Sequence, residues 1–567
     1  MRKILFSLFF FLIAGEIFAV EIIKPNQIQP GMKGYGLTVL SGYQVERFEV
    51  EVIDIIPKAI AGTDFILVRC SGAGLEKSRL IAGMSGSPVY FDGKLAGAIS
   101  ATWQFAQEPI GAITPIGDMI EGLKVKSTQA QTALLPSLNH QAQLYPGLGL
   151  DTSGCVVLVS GLDPDLLGEA KRLLEPIQMG PIMAGGKELV DPKAPEKIEP
   201  GSAVGVALVR GDLNISVVGT ATLIEGNTVL AFGHQFFNGG AVSLPLVLAK
   251  VHTVIPSQNL SFKLASPVRE IGALFLDSAI GIAGKLGEKA QMIPIKIEVD
   301  NKLTQNKREF NYSIADYPYL LPYLSSIVLY QSLSSAGATS QLTTVELEMA
   351  LKLKGYQEAI TYQDRFLFQG ENFSGEYLLP VDIFMNNPFK EVKISELNFN
   401  LMVKPGWEMA EIKSIWANKT QVSPGETVLL GVRLKPYQKE EFDKIIQLKI
   451  PDDAKKVFNI TVLGGENMTL DIAPPESVEN LIKAFKQIPN STWLVLQYPK
   501  PGIILDYQGE RLRSLPPSIQ SILSGWGDTK AKRTQDFEYL TYPTNYLIKG
   551  KARIQFQVIN EQGRKKK

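Results

Sequence analysis

The chain has 567 residues, 45% of them hydrophobic and 20% charged, with 57 basic and 57 acidic side chains and only two cysteines. That length calls for three or four domains rather than one, and the even charge balance argues against a nucleic-acid partner. Three histidines without a Cys-x-x-Cys pair argue against a metal site, no glycine-rich loop opens a helix as a phosphate cradle does, and no cofactor is expected.

In chain order, residues 1–19 read as an export signal: Arg2-Lys3, an apolar stretch from Ile4 to Gly15, then Ala19 as the expected cleavage point. The expected location is therefore periplasmic or secreted. No later apolar run approaches the roughly 18 residues of a membrane span, so no stable span is expected after signal removal. Residues 20–125 are short strands punctuated by Gly and Pro, among them Phe48–Ile55, whose alternation buries one face. Asp92-Gly93 marks a hairpin between Val89-Tyr90-Phe91 and Leu95–Ile99. Residues 126–199 form a linker and a small α/β insertion, with a strand at Val156–Val159 and a helix opened by Asp163-Pro164.

Residues 200–394 supply a second β-rich half with an extension. Within it a hairpin runs from Thr220–Ile224 to Thr228–Phe232 and ends in Gly233-His234. Residues 395–470, with Leu397–Val403, Val422–Leu434 and Phe458–Val462 as strands, resemble an immunoglobulin-like β-sandwich. Residues 471–567 are a mixed helix and β region, where Val478, Leu481, Ile482, Phe485 and Ile488 form a core-facing helical stripe. The final Arg564-Lys565-Lys566-Lys567 is a solvated tail, and Cys70 and Cys155 either pair or stay free.

The stretch that carries chemistry is Gly83-Met84-Ser85-Gly86-Ser87-Pro88. A serine held between glycines stands clear of neighbouring bulk, and the flanking backbone is free to aim the N–H groups of Gly83 and Ser85 at one developing oxyanion. The alternative reading of the six residues is a tight turn with no chemistry. A nucleophilic serine needs a base, and the choice is among His140, in a polar Gln-rich connector, His252, in an apolar run, and His234, at a hairpin end. Only the last stands where a barrel displays catalytic side chains.

These two segments together resemble the SpoIVB-type serine peptidases, whose signatures are a Gly-Met-Ser-Gly-Ser-Pro turn and a Gly-His segment after a hairpin. The resemblance extends to Arg269-Glu270-Ile271-Gly272 and Gly281-Ile282-Ala283-Gly284. It implies a mainly β, trypsin-like double β-barrel, here with the Ser half before the His half, the reverse of the family order. It also implies Ser85 as nucleophile, His234 as general base, and a protein or peptide substrate. Chemistry requires reach between the two side chains, not chain order.

The aspartate expected shortly upstream of the serine is missing, since that window reads Leu67–Gly72. Asp277 is preferred as the acidic member because it lies on the putative His-bearing barrel, with Asp64 or no carboxylate as alternatives. The functional expectation is an exported serine endopeptidase. The competing one is a catalytically silent envelope protein that binds proteins or surface polymers.

Overall fold

The computed structural model describes residues 20–60, 62–103, 105–123, 156–174, 180–183, 191–338, 342–368, 378–468, 475–507, 510–513 and 532–559, with isolated positions between 515 and 523. The export signal, His140, Cys155 and the basic tail lie outside the described residues. The chain divides into two units, one of residues 1–161, 174–208 and 214–291, the other of residues 162–173, 209–213 and 292–567.

The first unit begins with β1 (Lys33–Val39), β2 (Val45–Ile60), β3 (Thr63–Ser71), the short β4 (Ile81–Ala82), β5 (Pro88–Phe91), β6 (Lys94–Thr102) and β7 (Ile110–Pro115). All but β4 close into a barrel in the order β1-β2-β3-β7-β6-β5. The alternation in β2 sends Phe48, Val50 and Val52 inward and leaves Glu49 and Glu51 in water. Between β5 and β6, Asp92 and Gly93 take φ of 51° and 75°. Two successive left-handed residues make the type I′ turn that suits a twisted hairpin. Closure comes from β1 meeting β5, with Gly34 opposite Phe91 and Gly36 opposite Val89.

A second ring follows β8 (Val156–Ser160) and β9 (Gly180–Met183). It is built from β10 (Ala203–Gly211), β11 (Asn214–Glu225), β12 (Thr228–Ala231), β13 (Gly240–Ile255), β14 (Ser261–Ser278) and β15 (Gly281–Leu286). The pairing order is β10-β13-β14-β15-β12-β11, and β10 also pairs with β11, so these six strands return on themselves. The unit is therefore a double β-barrel of the trypsin-like kind, with the Ser-bearing ring first. β8 extends β11, and β9 extends β8.

In the second unit, β16 (Met292–Asn301), β17 (Asn306–Ala315), β18 (Thr343–Leu353), β19 (Ile360–Phe368) and β20 (Ile394–Pro405) form a sheet ordered β19-β18-β20-β16-β17. A nearly all-buried helix, Leu321–Ser335, is tied to it by the Tyr312 to Ser332 hydroxyl pair at 2.9 Å. The segment Leu397–Val403, expected in the sandwich, instead lies in β20 between β16 and β18. Alternation identifies a strand without identifying its neighbour.

The sandwich itself packs the sheet of β21 (Met409–Ala417), β23 (Thr427–Pro436), β24 (Phe442–Lys449) and β29 (Leu547–Lys549) against a second sheet. That second sheet comprises β22 (Gln421–Val422), β25 (Val457–Gly464), β26 (Trp493–Tyr507), β27 (Glu510–Leu512), β28 (Lys532–Pro543) and β30 (Lys551–Val558). Val432 and Leu434 share one core with Ile460, Leu496 and Phe556, so residues beyond 470 complete the sandwich rather than follow it. The helix Val478–Phe485 is capped by Ser477 and buries Val478 and Phe485, the latter against Tyr362 and Phe384.

Phe48 fills the first barrel with 1% of its surface exposed. Truncation to alanine leaves a cavity that a closed ring relaxes into poorly, so Phe48→Ala should cost about 3–5 kcal/mol. Denaturant unfolding of the barrel unit, followed by the loss of amide protection in β2, measures it.

Candidate active site

The turn carrying Ser85 leaves β4 and enters β5, and its backbone polar groups can be accounted for one by one. The N–H of Met84 donates to Ile81 O (2.9 Å), that of Gly86 to Ile99 O (2.7 Å), and that of Ser87 to Met84 O (2.8 Å). The carbonyl of Ser85 accepts from Thr220 N (2.8 Å), that of Ser87 from Ile99 N (3.0 Å). The carbonyl of Gly83 accepts from Thr220 Oγ1 (2.9 Å), and that of Gly86 from Thr222 Oγ1 (2.7 Å). Among the described residues, the N–H groups of Gly83 and Ser85 have no acceptor. Buried backbone donors are rarely left so, and these two are the pair expected to face an oxyanion.

Burial sharpens the picture. From Gly83 to Val89 every residue is buried except Ser85, which is partly exposed. Met84 points into the first barrel at 1% exposure. The turn thus presents one hydroxyl to solvent and hides its neighbours.

The serine turn sits directly on the hairpin of β11 and β12. Gly86, at φ 96°, is the tightest point: a Cβ there would stand 2.0 Å from Thr220 O and 2.5 Å from Phe232 N. Both are backbone atoms that cannot yield, so only glycine permits this approach. From the other side, a Cβ on Gly233 would meet Ala98 Cβ at 2.9 Å, and the Gly233 carbonyl accepts from Thr114 Oγ1 at 2.7 Å. Each barrel therefore grips the other's site segment. Phe232, fully buried, holds φ at 71°, a strained conformation for a bulky residue and one that clusters at functional turns.

His234 follows that strained residue, 8% exposed, its ring tilted 6.0 Å from Phe232. Its Nδ1 is 2.7 Å from Gln235 O. A carbonyl oxygen only accepts, so Nδ1 carries the proton, and Nε2 is the basic nitrogen of the neutral ring. This is the tautomer a general base needs.

Asp277 stands at the end of β14, 1% exposed. Its carboxylate accepts from the backbone N–H groups of Phe236 (2.8 Å), Phe237 (2.6 Å) and Gly239 (3.1 Å). These are the residues just after His234, so Asp277 folds the loop that anchors the histidine, while the Gln235 carbonyl meets the ring. Burial raises its carboxyl pKa above the usual range, outweighing the backbone donors that pull it down. Asp64, the other candidate, accepts from Lys58 N at 2.9 Å and serves the β2–β3 connection.

His252 is exposed and bonded to Ser266 Oγ at 2.9 Å, a structural contact. Cys70 is a buried free thiol, its pKa pushed up to about 12 by burial. No group of three or more His, Cys, Asp or Glu side chains among the described residues is placed to hold a metal ion. No helix among them is long and apolar enough to cross a membrane.

One residue of the site escaped the sequence reading. Lys263, on β14, is 2% exposed beneath the serine turn, its amine 2.8 Å from Thr38 Oγ1 and 3.3 Å from Thr220 Oγ1. Burial pulls that amine down to about 7. The alternation of Phe262, Lys263 and Leu264 in β14 puts Lys263 on an inward face, and a lysine at an inward position was the available signal.

Residues 16–113 match the family model described as SpoIVB peptidase S55. The matched segment contains Ser85 and ends before His234. No curated protein and no solved structure matches the chain.

Two outcomes follow from this geometry. Gly86→Ala should part the serine turn from the hairpin, costing at least about 1–3 kcal/mol. Hydrogen exchange at Thr220 and Phe232 should rise together in that variant. Because the folded state holds the Lys263 amine near 7 and the unfolded chain near 10.5, the unfolded state binds more protons between those values. Stability contributed at this position therefore increases as pH rises across that window. Denaturant unfolding at pH 7 and pH 10 should show the increase in the parent and not in Lys263→Met.

Proposed function

We propose, on the premise that the N-terminal barrel belongs to the SpoIVB peptidase family, that the chain is an exported serine endopeptidase. The observation that carries this reading is the backbone accounting at the serine turn. Every backbone polar group from Gly83 to Ser87 is engaged among the described residues except the N–H groups of Gly83 and Ser85, and the one side chain left partly in solvent is the Ser85 hydroxyl.

Ser85 Oγ attacks the carbonyl carbon of a peptide, and its proton passes to His234 Nε2. The carbonyl oxygen takes the negative charge, which the N–H groups of Gly83 and Ser85 stabilise. The intermediate collapses as the imidazolium protonates the leaving amine, giving an acyl-enzyme. Water, deprotonated by the same imidazole, then hydrolyses the ester and restores Ser85.

The third position differs from a Ser-His-Asp triad. The Gln235 carbonyl fixes the tautomer and ring orientation, but it lacks the full negative charge that stabilises an imidazolium. Asp277 acts one step removed, as a positioning residue for the loop. A chain with this arrangement is a working but slower hydrolase than one with a carboxylate on the ring. Its export rests on the leader read at residues 1–19.

Labelling of residues 20–567 with a fluorophosphonate tests the reading. The parent should label, Ser85→Ala should not, and His234→Ala should label at least about 10³-fold more slowly. A parent that never labels overturns the assignment and leaves a protein-binding scaffold. Asp277→Asn should slow labelling about 10–100-fold, the effect of a displaced loop, whereas a loss near 10⁴-fold would place the carboxylate on the imidazole.

A further inference from the structure

The serine turn is held mainly by one residue of the second barrel, Thr220. Its backbone N–H takes the Ser85 carbonyl and its hydroxyl takes the Gly83 carbonyl. A threonine hydroxyl has one proton, so once it donates to Gly83 O its lone pairs face a donor or nothing. Thr220 is wholly buried, so bulk solvent does not supply that donor. Lys263 does.

The lysine is built into the site rather than placed beside it. Its stem runs under Gly83, where a Cβ would touch Lys263 Cδ, Cγ and Cβ at 3.1 to 3.3 Å. Its amine donates to Thr38 Oγ1 on β1 of the first barrel and to Thr220 Oγ1 on β11 of the second. A neutral amine has two N–H donors, and the two hydroxyls consume both. An ammonium would carry a third proton with no acceptor among the described residues, and no carboxylate there pairs with it. A buried amine without an anion is costly to keep charged, and burial pulls its pKa down toward neutrality accordingly.

We infer that Lys263 is a positioning residue of the peptidase site, acting through Thr220 to fix the Gly83 peptide and so the direction of the two oxyanion donors. The inference rests on the peptidase reading above. The amine orients the Thr220 hydroxyl, the hydroxyl holds the Gly83 carbonyl, and the Met84 N–H of the same peptide plane is held by Ile81 O. With that plane pinned at both edges, the flanking N–H groups of Gly83 and Ser85 keep one orientation. Donors that need no reorganisation when charge develops are what makes such a hole effective, and a displacement near 1 Å is enough to lose about 10²-fold in rate.

The test is fluorophosphonate labelling of residues 20–567, resolved into a maximal rate, kinact, and a half-saturating concentration, KI. Lys263→Met keeps the stem and removes the amine; Thr220→Val removes the hydroxyl. Each should lower kinact about 10–100-fold with KI changed less than about twofold, and the double variant should be no slower than the slower single. Thr220→Ser, which restores the hydroxyl, should recover most of what Thr220→Val loses. Lys263→Met should melt no lower than the parent at pH 7, because an apolar side chain replaces a buried amine, so rate and stability move apart where a merely structural role would move them together.

Parental kinact in Lys263→Met, or losses that multiply in the double variant, overturn the inference while leaving the peptidase reading intact. A parent that does not label overturns the peptidase reading and, with it, any catalytic part for the lysine. Should Lys263→Met fail to fold, Thr38→Val removes the amine's other partner and carries the same kinact comparison.

Discussion

The constraint on which the site depends is the seating of the serine turn on the β11–β12 hairpin. The turn by itself is five residues of glycine-rich backbone with little to hold it. Five hydrogen bonds from or to Thr220, Thr222 and Ile99 give it a shape. The contact of Gly86 with Thr220 O and Phe232 N leaves no room for any other residue. The second barrel therefore acts as the mould for the first barrel's serine turn. In return, Thr114, Ala98 and Ser100 of the first barrel shape the backbone that leads to His234. Neither half of the site is complete without the other.

This mutual dependence explains why chain order is immaterial. The contacts that define the site run between strands of two closed rings, and each ring is closed by its own hydrogen bonds, β1 to β5 in one and β10 to β11 in the other. Closed rings have no free edge, so a ring can be encoded first or second without altering the face it presents. What must be conserved in space is the pairing of a glycine-rich turn with a hairpin that carries two inward threonines.

Much of this was legible in the sequence, and what was not has physical reasons. The turn from Gly83 to Pro88, the Asp92-Gly93 hairpin, the alternation in β2 and the hairpin before His234 are local signals, and the structure places each where the local chemistry put it. The partnering of distant strands was not legible. β20 reads as well for a sandwich as for the sheet it joins, and the sandwich recruits strands from beyond residue 490 that carry no mark of their destination. Within the site, Asp277 could be chosen by position but not by partner. Its distance from His234 along the chain says nothing of whether it meets a ring or a loop, and its hydrogen bonds go to Phe236, Phe237 and Gly239. Lys263 carries no mark in the sequence, since lysines are ordinarily solvated; only its seat on an inward face of β14 sets it apart.

Besides His234, the site buries two ionisable groups, Asp277 and Lys263, and burial drives each of these toward its neutral form, the carboxyl pKa upward and the amine pKa downward. They do not neutralise each other, since one is spent on the loop after His234 and the other on the threonines beneath Ser85. A fold pays in stability for holding two such groups in separate apolar surroundings, where isosteric apolar residues would often serve stability as well or better. Stability alone therefore gives no reason to keep them. Asp277 holds the backbone just after His234, and Lys263 holds the threonine hydroxyls beneath the serine turn, so each borders one segment of the candidate site. Polar groups placed at that cost on one strand of the second barrel, one near its end beside the histidine loop and one beneath the serine turn, suit a site whose donors must stand in position before charge arrives.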